Sequence, residues 1–147
     1  MMEDRLLDFL LCAKRNTYAA KAAECAPSRP NSHDLSYAEG DYLYLDTYLG
    51  GERFSGEEAV WLNGKPIWAM NYSGRVLDGR FNGDFLKHAL LLVPAERPYR
   101  GPEIYQEGNL SYTCQVTGSP DWYQGYEEIR FEDALVYECF FHGGSIF

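Results

Sequence analysis

The chain has 147 residues, 46% hydrophobic and 24% charged, which suits one folded domain over residues 1–147 and excludes a disordered chain. A net charge of −9 argues against direct nucleic-acid binding, and no Lys/Arg-rich run reverses it. No apolar run approaches the roughly 20 residues that span a bilayer, and Glu3, Asp4 and Asp8 stand where a secretory leader would be basic, so a cytoplasmic protein without a membrane partner is expected.

Leu6, Phe9, Leu10 and Ala13 recur at helical spacing and predict an amphipathic helix to about Lys14. A looser segment follows in YAAKAAEC, and Pro27 and Pro30 then hold an extended loop. Strand signals take over in SYAEGDYLYLDTYLG, with a turn at Glu39-Gly40-Asp41. EAVWLNGKPIWAMNY is the clearest hairpin, because Asn-Gly is the preferred pair for a type I′ turn. NGDFLKHALLLV reads as a second helix, capped by Asn82 or Asp84 and stopped at Pro94. A Pro/Gly/Arg loop, ERPYRGPEIY, precedes two or three more strands near SYTCQV, YEEIRF and LVYECFF, the last pair turning at Glu132-Asp133. Each half is thus a helix followed by a strand meander. Short turns make neighbours antiparallel. The expected class is α+β: a curved antiparallel sheet with the N-terminal helix and one mid-chain helix packed on one face.

Residues 41–51, DYLYLDTYLGG, alternate leucine with tyrosine and acid. Leu43, Leu45 and Leu49 predict a core face; Tyr42, Tyr44, Asp46 and Tyr48 share the other. Mid-strand Asp46 is poorly explained by strand propensity, so the second face is read as lining a pocket. Trp68 and Tyr72 share a face of the next hairpin, opposite Asn71. Tyr126 and His142 are further polar-aromatic candidates. Such residues line ligand pockets and also edge ordinary cores.

Arg29 could clamp an anionic group, and His33 could act as acid or base, although the same loop reads equally as structural. Neighbours on a strand point to opposite faces, so at most one of Glu57-Glu58, and one of Glu127-Glu128, points inward. An inward glutamate near Asp46 would give paired acids or a divalent-metal site. Cys12, Cys25, Cys114 and Cys139 form no C-x-x-C pair, so free thiols are expected and no metal site is announced. No phosphate loop, dinucleotide fingerprint, zinc-protease or nucleophile-elbow motif occurs, and the cofactor is unknown.

The runs SRPNSHDLSYAEGDYLYLDTYLGGERFSGEEAVW, NGKPIWAMNYSGRV, FNGDFLKHALLLVPAERPYRGP, WYQGYEEI and YECFFHGGSI resemble an uncharacterised bacterial domain family. That family occurs alone and as the C-terminal domain of XRE-type helix-turn-helix transcriptional regulators. The resemblance covers nearly the whole chain and implies an effector-type domain, here without the DNA-binding module. Arg29, His33, Tyr42, Asp46, Tyr48, Glu57, Glu58, Trp68, Asn71, Tyr72, Tyr126 and His142 look like signature positions.

Three functional expectations follow. The first is a stand-alone, sensor-like domain binding a small molecule in a Tyr/Trp/carboxylate pocket. The second is an enzyme with His33, Asp46 and Glu57 or Glu58 as acid, base or metal ligands. The third is a protein-interaction or homodimerisation module.

Overall fold

The apolar stripe near the start becomes α1 (Asp4–Arg15) in the computed structural model, which describes residues 4–147. Leu6, Phe9, Leu10 and Ala13 are all buried there. The alanine-rich segment makes only a 3-10 turn, Tyr18–Ala20, ended by Lys21 in the left-handed conformation. The chain then runs through β1 (His33–Glu39), β2 (Tyr42–Gly50), β3 (Arg53–Leu62), β4 (Lys65–Val76), α2 (Gly83–Leu91), β5 (Ile104–Glu107), β6 (Leu110–Ser119), β7 (Trp122–Phe131) and β8 (Ala134–Ser145).

Local chemistry explains the boundaries. Asn63 and Gly64 both have positive φ, 52° and 79°, as a type I′ turn requires, so this pair sets the β3–β4 register. Asn82, not Asp84, caps α2: its side chain accepts the Phe85 N–H at 3.1 Å. Four strands follow α2 where two or three are expected. The additional one, β5, has four residues and begins at the end of the predicted loop, too short to show a period.

All neighbouring strands are antiparallel, in the order β1-β2-β3-β4-β8-β7-β6-β5. The sheet is curved and open, with α1 and α2 on one face, so the architecture is the expected α+β. The two halves mirror each other in connectivity. Each is a helix followed by a four-stranded meander, and they join along their last strands, β4 and β8.

The leucine face of β2 is the reverse of expectation, while the tyrosine and acid face turns inward. Tyr42, Tyr44 and Asp46 are buried beneath the helices, whereas Leu43 and Leu49 are exposed and Leu45 is only partly covered. The reason is reach: phenol rings from β2, β4, β6, β7 and β8 fill the wide space between sheet and helices in one cluster with Leu10, Phe85 and Leu86. A buried phenol also needs a hydrogen-bond partner, and the inward carboxylates supply it.

Candidate functional site

The site begins with two inward glutamates. Alternation turns Glu58 and Glu127 into the concave face, 4% and 0% exposed, while Glu57 and Glu128 point outward. Glu58 Oε1 accepts from Lys14 Nζ at 2.8 Å and from the Tyr44 hydroxyl. Lys14 stands one turn after Leu10 on the apolar stripe of α1; it also donates to the Tyr99 carbonyl and lies 5.6 Å from the Trp68 ring centre. Glu127 Oε1 accepts from Arg100 Nε at 2.8 Å and from the Tyr137 hydroxyl at 3.0 Å, and Oε2 accepts from the Tyr112 hydroxyl.

These two clusters occupy matching places in the two meanders. Glu58 and Glu127 are each on the third strand, paired with Asp46 and Cys114 respectively on the second. Tyr44 and Tyr112 each precede that partner by two positions and bond the glutamate. Lys14 and Arg100 each come from the helical or loop segment ahead of their meander. Asp46 breaks the match, since its counterpart Cys114 is an uncharged thiol.

Asp46 is 5% exposed and accepts the Tyr72 hydroxyl on Oδ1 at 2.5 Å. The face of that same Tyr72 ring lies 5.4 Å from the Arg100 guanidinium. Burial, and next the Glu58 charge beside it, raise the Asp46 carboxyl to about 7, against the Tyr72 hydrogen bond. Burial lowers Lys14, with Glu58 opposing. Burial raises Tyr44 and Tyr72 well above the usual phenol value, and the carboxylates of Glu58 and Asp46 add to it.

These groups border a cavity of about 320 Å³ between the sheet and the helices. Lys14, Tyr44, Asp46, Glu58, Tyr72 and Arg100 form its polar side, and Leu86 and Leu90 of α2 and Phe54 and Phe81 its apolar side. His33 and Tyr48 stand at its rim with their rings stacked at 4.8 Å, and His33 Nδ1 lies 2.8 Å from Glu24 Oε1.

Of the residues singled out by sequence, the structure gathers His33, Tyr44, Asp46, Tyr48, Glu58 and Tyr72 around the cavity. Tyr42 and Trp68 are buried in the adjoining core: Tyr42 stacks on Phe9, and Trp68 lies under Lys14. The others are elsewhere. Glu57, Asn71 and His142 are exposed, and strand alternation carries them to the outer face with Tyr126, which bonds Glu128 and Glu138 there. Arg29 is exposed and donates to Thr47 Oγ1 at 3.1 Å. Lys14 and Arg100 are the site residues that sequence reading passed over, and Glu127 is the inward member of its glutamate pair. Lys14 had a signal, a cation on an apolar stripe; Arg100 in a Pro/Gly loop had none.

Among the described residues, no group of three or more His, Cys, Asp or Glu side chains could hold a metal ion, and no helix is long and apolar enough to cross a membrane.

An open antiparallel sheet whose helix-covered face encloses a cavity with buried acids defines an α+β protein with a candidate pocket. The chain belongs to the family described as Domain of unknown function (DUF5680), whose model matches residues 46–146. No curated protein and no solved structure matches the chain.

Proposed function

We propose that this chain is a small-molecule-binding domain of the sensor type, with its ligand in the cavity bounded by Tyr44, Asp46, Glu58 and Tyr72. One observation carries this reading: Asp46 Oδ2 and Glu58 Oε2 accept no hydrogen bond from a described residue, yet are not sealed from solvent and belong to side chains that border the cavity. Buried acceptors are normally satisfied, so open ones on a largely apolar cavity suit a ligand that supplies donors.

The test is a metabolite set screened by melting temperature. A native-state ligand at 100 times its Kd stabilises by about 2.7 kcal/mol, roughly 5 to 10 °C for a domain of this size. If no compound shifts the midpoint, the reading fails.

A second reading, acid–base chemistry, draws on the Asp46 carboxyl near neutrality. Its proposed His33 partner bonds Glu24 instead of Asp46 or Glu58, and Glu57 faces away. A homodimer, the third reading, would use the outer face, where Leu43, Leu49, Trp122 and Phe140 are exposed; sedimentation at low concentration separates it from a monomeric binder.

A further inference from the structure

Among the described residues, the acids and bases buried on the concave face do not pair off evenly: three carboxyl groups stand against two cations. Lys14 pairs with Glu58 and Arg100 with Glu127, and each pair is completed by the tyrosine at the matching strand position. Asp46 is the fifth ionisable group, and among the described residues no cation bonds it. Its only side-chain partner among the described residues is a neutral hydroxyl, Tyr72 on Oδ1. The other half of the molecule manages the equivalent position with Cys114, buried and uncharged. An unpaired buried carboxylate is costly, and an apolar residue would pack there. Asp46 is thus a place where this half departs from its own structural template at the expense of stability, and it does so at the wall of the cavity.

The mismatch has a sign and a geometry. An anionic ligand would meet two carboxyl groups and disfavour the ionised form of Asp46 further. A quaternary ammonium would match the charge but leave the two open oxygens without donors. A protonated primary or secondary amine meets both requirements, because its N–H groups can bond Asp46 Oδ2 and Glu58 Oε2. Around the acids, the rings of Tyr18, Tyr48, Phe54 and Phe81 face the same space, suited to an apolar body and to cation–π contact.

We infer that the cavity takes a compact organic amine in its protonated form, the ammonium seated between Asp46 and Glu58 and an aromatic or aliphatic body against the ring-lined side. The inference rests on the reading of the cavity as a ligand site and adds the class of ligand.

The experiment compares matched compounds on the intact chain by melting temperature and calorimetric titration: phenethylamine and tryptamine, their neutral counterparts 2-phenylethanol and tryptophol, and the anions phenylacetate and indole-3-acetate. The amines are expected to bind at least tenfold more tightly than the alcohols, with the anions weakest. Asp46→Asn keeps an acceptor for Tyr72 but removes the charge, and should erase the preference for amines. Tyr72→Phe keeps the charge and frees Oδ1, and should retain that preference; it keeps the test decisive if Asp46→Asn fails to fold. Alcohols or anions binding as well as amines, or a preference surviving in Asp46→Asn, would overturn the inference while leaving the ligand site standing. If all six compounds fail but other members of the metabolite set stabilise the protein, the amine class alone falls. If nothing binds, both readings fall together.

Discussion

Asp46 is a residue whose cost can be measured directly. Its folded carboxyl titrates near 7 against an ordinary value of 3.8, so the folded state holds a proton that the unfolded state releases. Stability from this group is complete below about 4 and is lost as pH rises through about 7. Urea denaturation of the ligand-free protein should show that decline, on the order of a few kcal/mol. Asp46→Asn should flatten it and be the more stable protein at pH 8. Lys14 behaves in the opposite sense as a partner in a buried pair. Lys14→Met strands Glu58 and should cost about 3–5 kcal/mol at neutral pH, whereas Lys14→Met with Glu58→Gln should recover most of it. Asp46 was legible in sequence because an acid in mid-strand conflicts with its surroundings. The inward choice of Glu58 over Glu57 followed from alternation once a face was assigned. The cations were passed over for different reasons: the signal of Lys14 on the apolar stripe is easily taken for ordinary helix-end chemistry, and Arg100 sits in a loop with no period at all.

At the scale of elements, the signals that survived folding are those with a mechanism inside a few residues. Asn63-Gly64 and the α1 stripe depend on backbone conformation and side-chain period, and both formed as read. Asn82 is another: Asn82→Ala removes the acceptor for the Phe85 N–H and should cost about 1 kcal/mol, lowering the melting temperature by roughly 2–4 °C. Because α2 supplies Leu86 and Leu90 to the cavity, the same change should weaken any ligand's stabilisation. The outward turn of the β2 leucines was not legible locally. Leucine normally marks the inside, but alternation says only that two faces differ. Which one turns inward was decided by the span between sheet and helices and by phenol partners on β3 and β4, far away in sequence.

For the molecule as a whole, the seam between β4 and β8 sets cooperativity. It lies at the middle of the eight strands, and the concave cluster draws from both meanders at once: Tyr44, Trp68 and Tyr72 from the first, Tyr112, Tyr123, Ile129 and Phe141 from the second. Tyr99, in the loop after α2, stacks on Tyr123 at 3.8 Å while its carbonyl accepts from Lys14 of α1. Fragments cut at residue 77 should each be largely unfolded by circular dichroism. Mixed, they should regain sheet signal and a single melting transition; a half that folds alone would contradict this account. The duplicated plan was visible in sequence only as an order of elements, because the two halves keep positions and roles while changing most of the side chains.

The tryptophans give the site a built-in optical reporter. Trp122 is 81% exposed, whereas Trp68 is fully buried, with Lys14 over its ring and its indole N–H bonded to no described residue. An indole denied solvent relaxation emits at the blue end of its range, while Trp122 should emit in the red and be quenched by iodide. Replacing Trp61 and Trp122 with phenylalanine should leave a narrow blue band that iodide does not reach. Any molecule that perturbs the Lys14–Glu58 pair should then alter that band's intensity, so occupancy can be followed in solution without a label.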